Sequence, residues 1–205
     1  DRRGYVKVLE GLENTLIIAV LGLIIGIVIG TLIATVRVVP KYKLLPRVLN
    51  GFCSFYVGFF RGTPMVVQLL LFYYVMLPMM GMNMPGLHVS VAVFGLNSGA
   101  YISEIMRGGI QSVDAGQMEA GRAVGLTYAT TMLRIVVPQA IKNILPTLGN
   151  EFIVLIKETS IVSFIAVTDL YKSFKQLGDP TYNYTMPYLM LALTYLVIVL
   201  LISWG

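Results

Sequence analysis

Residues 15–36 carry no charged side chain, and only three threonines break the run of aliphatic and glycine residues. At 1.5 Å per residue, a helix over this stretch matches the ~30 Å hydrocarbon core of a bilayer. A backbone crossing that core must pair all of its own polar groups, so a chain containing such a run is expected to fold as membrane helices or a closed barrel.

The remaining sequence favours helices. Further apolar regions cover residues 48–77, 88–107, 148–168 and 184–204, and none alternates with the two-residue period of a barrel strand. Of the 205 residues, 57% are hydrophobic and 12% charged, more apolar surface than a soluble domain of this length could hide. The expectation is a single domain over 1–205, an all-α polytopic membrane protein with about five transmembrane helices. The first run is long enough to span, so it does not read as a cleaved leader.

Within the first run Gly22, Gly26, Gly30 and Ala34 recur every fourth residue, giving one helical face that another backbone can approach closely. The second region is interrupted by Arg61-Gly62-Thr63-Pro64. Proline lacks a backbone donor and disfavours helix in the residue before it, so a bend is expected there. Pro64 is assigned a structural or gating role, and Arg61 is expected to reach an interface or hold a gate through an acid on another span.

Charge sets the orientation. The first loop carries Arg37, Lys41, Lys43 and Arg47 with no acid, whereas residues 78–87 carry no charge. The positive-inside rule then places the first loop in the cytoplasm, the amino terminus outside and the carboxyl terminus inside. The net charge of +5 is explained the same way, because the basic residues are scattered and lack the interleaved aromatics of a nucleic-acid surface. One cysteine, Cys53, and one histidine, His88, provide neither a disulfide nor a metal cluster, and no partner for either suggests a membrane enzyme.

Ionisable groups inside spans are costly and mark functional sites. Asn97, Tyr101 and Glu104 follow i, i+4, i+7 spacing and share a helix face, as do Glu151 and Glu158, with Thr159 and Ser160 close by. These seven are candidates for a polar substrate cavity. Lys157 is assigned to gating or structure, and it could instead neutralise Glu104. The carboxylates favour a cationic ligand.

One stretch departs from the apolar pattern. Between the third and fourth regions lies "GQMEAGRAVGLTYATTMLRIVVPQA", within a loop of about residues 109–137. A short helix over 117–129 would carry Gly121 and Gly125 one turn apart, with Glu119 and Arg122 three apart. It lacks the basic face and bulky anchors of a helix lying on lipid, so its small-residue face is read as a docking surface for a protein.

"EAGRAVGLTYATTMLRIVVPQA" resembles the EAA loop of the permease subunits of ABC importers: Glu119, Ala120, Gly125 and Pro138 fit the pattern, and Gly121 replaces the usual second alanine. "GLENTL", "FFRGTPMVVQLLLFYY", "GAYISEIMRGGIQSV", "PQAIKNILPTLGNEF" and "IKETSIVS" extend the resemblance to the polar amino-acid uptake branch over nearly the whole chain.

The resemblance implies the type I importer permease fold in a bacterial cytoplasmic (inner) membrane. It implies a second permease subunit, either an identical copy or a close paralogue, and two cytoplasmic ATPase subunits that bind ATP and magnesium. It also implies an extracytoplasmic binding protein that delivers an amino acid. Glu119, Ala120, Gly121, Arg122, Gly125 and Leu126 would then form the ATPase-coupling segment of a non-catalytic subunit. The chain itself has no Walker phosphate loop. Basic amino acids rank first as substrate and glutamine or histidine second, with an ion-coupled amino-acid carrier as the rival reading.

Overall fold

A computed structural model describes residues 2–204. The chain is helical almost throughout. It begins with α1 (Arg2–Val38) and α2 (Leu44–Gly62), then α3 (Met65–Leu71), which passes through a π-turn (Phe72–Met76) into α4 (Leu77–Met79). Next come α5 (Gly86–Gln111), α6 (Ala115–Ala123) and α7 (Tyr128–Thr131), and a second π-turn (Met132–Val136) leads into α8 (Val137–Glu158). A 3-10 turn (Thr159–Ile165), α9 (Leu170–Gly178) and α10 (Thr185–Trp204) complete the chain.

The spaced glycines of α1 fulfil their expectation inside this chain. A Cβ on Gly22 would meet Phe94, one on Gly26 Ser98, and one on Gly30 Ile102, while Gly95 and Gly99 of α5 receive Ile25 and Ile29 in return. Both series climb together, so α1 and α5 run parallel at close range. Two parallel spans need a return crossing between them. The α2–α4 segment supplies it, with a 107° bend at its break.

Gly30→Val tests this packing: the added carbon would lie 2.8 Å from Ile102 Cγ2 and 3.0 Å from the Ser103 amide nitrogen. Overpacking should cost about 1–3 kcal/mol, read as a lower melting temperature in detergent. Gly51→Val, at a position with nothing within 4 Å, should melt like wild type.

α1, α5 and α10 are long and apolar enough to span by length and composition, and the bent pair passes as a fourth. Helix α8 runs antiparallel to α5, since Gly109 packs on Ala140 and Ile144 while Asn97 and Tyr101 face residues 151–158. Its 22 residues reach across the core, but Lys142, Glu151, Lys157 and Glu158 make it too polar to be recognised as a span by hydropathy.

The expected fourth span, 148–168, is therefore displaced. Its helix starts at Val137 and stops at Glu158. The chain beyond Glu158 tightens to 3-10 before reaching Ala166 at φ 61°.

Each π-turn ends two residues before a proline, Pro78 or Pro138. A proline ring collides with the carbonyl four residues back, and widening the preceding turn relieves the collision. The widened bonds are Leu77 N–H to the Phe72 carbonyl and Val137 N–H to the Met132 carbonyl.

The "GLENTL" segment pins α9 to α1. Asn14 donates to the Thr168 carbonyl at 2.8 Å, and the Leu170 N–H donates to Thr15 Oγ1 at 3.2 Å. Asp169 is fully buried and caps α9 by accepting from the Tyr171 and Lys172 amides. Burial raises its pKa to about 6, against 3.8 ordinarily. The folded chain holds the Asp169 proton between those values and the unfolded chain does not, so stability should fall by about 3 kcal/mol as pH rises through that window. Asp169→Asn keeps a capping oxygen and should flatten the melting temperature between pH 4 and 7.

Candidate functional site

The break at Thr63–Pro64 opens a cavity of about 250 Å³ between α5 and α8, lined by Thr63, Pro64, Met65, Asn97, Tyr101, Glu151, Val154, Leu155 and Glu158. Thr63 is extended, as a residue before proline must be, and Pro64 starts α3. Four of the seven predicted cavity residues, Asn97, Tyr101, Glu151 and Glu158, thus converge from two helices onto one space.

Their roles differ. Asn97 Nδ2 donates to Gln68 Oε1 at 2.9 Å and to the Phe60 carbonyl at 3.4 Å. Gln68 in turn donates to the Phe60 and Thr63 carbonyls and to Thr63 Oγ1. This buried amide pair satisfies the backbone groups that the broken helix leaves unpaired, so it holds the break in shape. Sequence reasoning missed Gln68; its signal was a lone amide inside the apolar run "MVVQLLL". By contrast, Glu151 and Glu158 have no hydrogen-bond or ion-pair partner among the described residues, and no cation lines the cavity.

Glu104 is elsewhere. It lies on the same stripe of α5 but one turn beyond the cavity, where Arg37 Nη1 approaches at 2.5 Å, Arg107 Nη2 at 2.8 Å and Arg61 Nη1 at 3.8 Å. Three guanidiniums surround this carboxylate, Glu104 does not line the cavity, and no pairing with Lys157 is found among the described residues. Arg61 also stands over the Tyr101 ring, 5.7 Å from its centroid, and so links the cavity wall to this cluster.

Thr159 donates to the Ile156 carbonyl at 2.6 Å and Ser160 to the Lys157 carbonyl at 3.3 Å, both outside the cavity lining. Lys157 is exposed beside Glu158 and has no ion pair among the described residues.

The polar segment between α5 and α8 is more helical at its edges than the loop 109–137 anticipated. Helix α5 continues to Gln111 and helix resumes at Tyr128. The helix within it, α6, covers Ala115–Ala123 instead of 117–129. Asp114 caps it by accepting from the Gly116 N–H at 2.8 Å.

Its end is a Schellman motif, with Leu126 N–H bonded to the Gly121 carbonyl and Gly125 N–H to the Arg122 carbonyl, both at 3.1 Å. Gly125 is at φ +91°, a left-handed conformation that ends the helix. Gly121 packs inward on Thr131. The two glycines therefore do not share an outward face. The outward face instead comprises Glu119, Ala120, Arg122, Ala123 and Val124, the valine 78% exposed. Leu126 is half-buried, and its carbonyl accepts from Arg122 Nη1.

Comparison with known proteins gives a consistent picture. Residues 22–205 match the family described as "Binding-protein-dependent transport system inner membrane component". The arginine transport system permease protein ArtQ of Bacillus subtilis (strain 168) is 38% identical over 196 residues, covering 96% of this chain and 87% of that protein. GlnP of Rickettsia bellii (strain RML369-C), named for a glutamine transport system permease, is 43% identical over 157 residues, 77% of this chain and 72% of that one. Among solved structures, a crystal structure of an amino acid ABC transporter with histidines superposes with a TM-score of 0.88 at 42% identity, covering 96% of this chain and 89% of that one.

Proposed function

This chain belongs to the family of binding-protein-dependent transport system inner membrane components, and from that premise we propose that it conducts polar amino acids inward, basic ones first and glutamine second. It is a multi-pass membrane permease subunit with the type I ABC importer fold, and it is not itself the ATPase.

The observation that carries the basic preference is the pair of unpartnered carboxylates, Glu151 and Glu158, in a cavity with no cation. A guanidinium or ammonium would supply the missing partner through charge-assisted bonds. Tyr101 offers a ring and Thr63 part of the wall, while Asn97 acts through Gln68 on the shape of the break. Glu104 with Arg37, Arg61 and Arg107 forms the neighbouring charged layer, and Arg61 with Pro64, which flank the break, would gate the cavity if the broken span moves. The relatives are named for arginine and for glutamine, which supports the class and leaves both in the ranking.

The family supports the following set of partners. Of two ATPase subunits, binding ATP and magnesium, one would grip the outward face of this chain's α6 and the other the matching helix of a second permease. A second permease, identical or a close paralogue, would lie against the exposed Lys157 and Glu158 side, and an extracytoplasmic amino-acid-binding protein would dock at the opposite end. The basic end, with Arg37, Lys41, Lys43 and Arg47, is the cytoplasmic one, which puts the amino terminus outside and the carboxyl terminus inside.

Reconstitution of the assembled transporter in liposomes, with its binding protein, tests this. Arginine or lysine should stimulate ATP hydrolysis and uptake more than glutamine. Stimulation by glutamine alone would overturn the basic preference. Uptake driven by an ion gradient without ATP would overturn the importer reading.

A further inference from the structure

We propose that a groove between α1 and α8 at the basic end of the bundle binds one acyl chain of an anionic phospholipid, with the headgroup phosphate held by Lys41 and Arg134. The groove has a volume of about 410 Å³, and its walls include Ala34 and Val38 of α1, Met106 of α5, Leu133 of the π-turn, and Ile141 and Leu145 of α8.

Three observations identify the occupant. The first is polarity. Thr31 and Thr35 line the groove, but their hydroxyls donate to their own helix, at 2.6 Å to the Ile27 carbonyl and 2.8 Å to the Thr31 carbonyl. The hydroxyl that remains in the lining is that of Tyr128, an amphipathic ring of the kind that favours the membrane interface.

The second is size. From Val137 to Leu148 the α8 wall is about 16 Å long, close to the ~15 Å of one leaflet's hydrocarbon. An extended hydrocarbon chain lying along α8 would fill that length.

The third is charge. The two segments that carry groove residues at this end, 37–50 and 128–150, contain Arg37, Lys41, Lys43, Arg47, Arg134 and Lys142 and no acid. Of these six only Arg37 has an ion pair among the described residues. Lys41 Nζ is tethered at 3.0 Å to the Arg37 carbonyl, which keeps its ammonium beside the end of α1. Arg134 directly follows the groove residue Leu133 on the opposite wall. Juxtamembrane cations of this kind attract anionic headgroups.

The inference rests on the basic end being the cytoplasmic one only for the leaflet involved; binding in detergent depends on neither orientation nor substrate. The purified, delipidated transporter is titrated with phosphatidylglycerol or phosphatidylcholine of identical chains and weighed by native mass spectrometry, with amino-acid-stimulated ATP hydrolysis as a control for fold.

Wild type should retain one phosphatidylglycerol per permease chain, with about tenfold preference over phosphatidylcholine. Lys41→Ala combined with Arg134→Ala should lose the preference and keep weak binding of both lipids. Thr35→Trp, at an exposed position on the groove wall, should lose both. Equal retention of the two lipids by wild type, or undiminished retention by Thr35→Trp, would overturn the proposal. So would dissociation of the two permease subunits in Thr35→Trp, which would identify the groove as a protein interface. Because each reading comes from bound mass, failure here leaves the importer assignment standing, and failure of transport leaves lipid binding measurable.

Discussion

Glu158→Gln is expected to raise the arginine concentration needed for half-maximal ATP hydrolysis at least tenfold in liposomes, with Glu151→Gln close behind. Each carboxylate lines the cavity with no partner among the described residues. A hydrogen bond to a charged group contributes about 1.5–3 kcal/mol, and 1.4 kcal/mol is about tenfold in affinity. Glutamine fills nearly the same space as glutamate, so packing against Leu155 and Val154 should survive and the change should report charge. The response to glutamine as substrate should move far less, because a neutral amide needs no counter-ion. An unchanged arginine dependence in both variants would remove these carboxylates from ligand binding.

The second large effect is expected at Gly125. Its φ of +91° lies where a β-branched residue is strained, by about 1–3 kcal/mol. A Cβ there would meet nothing within 4 Å, so any loss must come from the backbone and not from a clash within the chain. Gly125→Val should unwind the Schellman turn, displace Val124 and Leu126, and lose the ATPase during co-purification while the permease remains folded. Gly125→Asn should retain most of the complex, since asparagine tolerates the left-handed region. If the Val variant keeps its ATPase through mild detergent, the α6 end does not matter for docking. Loss of binding by both variants alike would mean that the docking surface itself requires a bare backbone at this point.

Some of this architecture was readable from residue spacing and some was not. Gly22, Gly26 and Gly30 announced close helix packing because small residues at four-residue spacing have few other uses in an apolar run. The partner helix, α5, could not be read because glycine spacing carries no address. A helix over 117–129 runs through Gly125, yet glycine followed two residues later by Thr127, the cap of α7, is a visible stop and restart.

Glu104 illustrates another limit. Its i+7 spacing from Asn97 did put it on the right stripe, but whether it faced a cavity depended on Arg37, which is 67 positions away in sequence. Gln68 had the same difficulty, since a single amide among aliphatic residues gains meaning only when Asn97 and a broken backbone are brought to it. Hydropathy selects the apolar window 148–168 for the fourth span, whereas α8 turns Glu151 and Glu158 into the cavity and so reads as polar.

The π-turn at Met132–Val136 makes the wall of the cavity depend on a count. A π-turn holds one residue more than the α-helical turn it replaces, and each residue added or removed rotates everything beyond it by about 100°. Helix α7, packed against Gly121, and the stripe of Glu151 and Glu158 are thus kept in phase by a single surplus residue. A chain that lost it would conserve every side chain named in this site and still present a different face of α8 to the permeating solute.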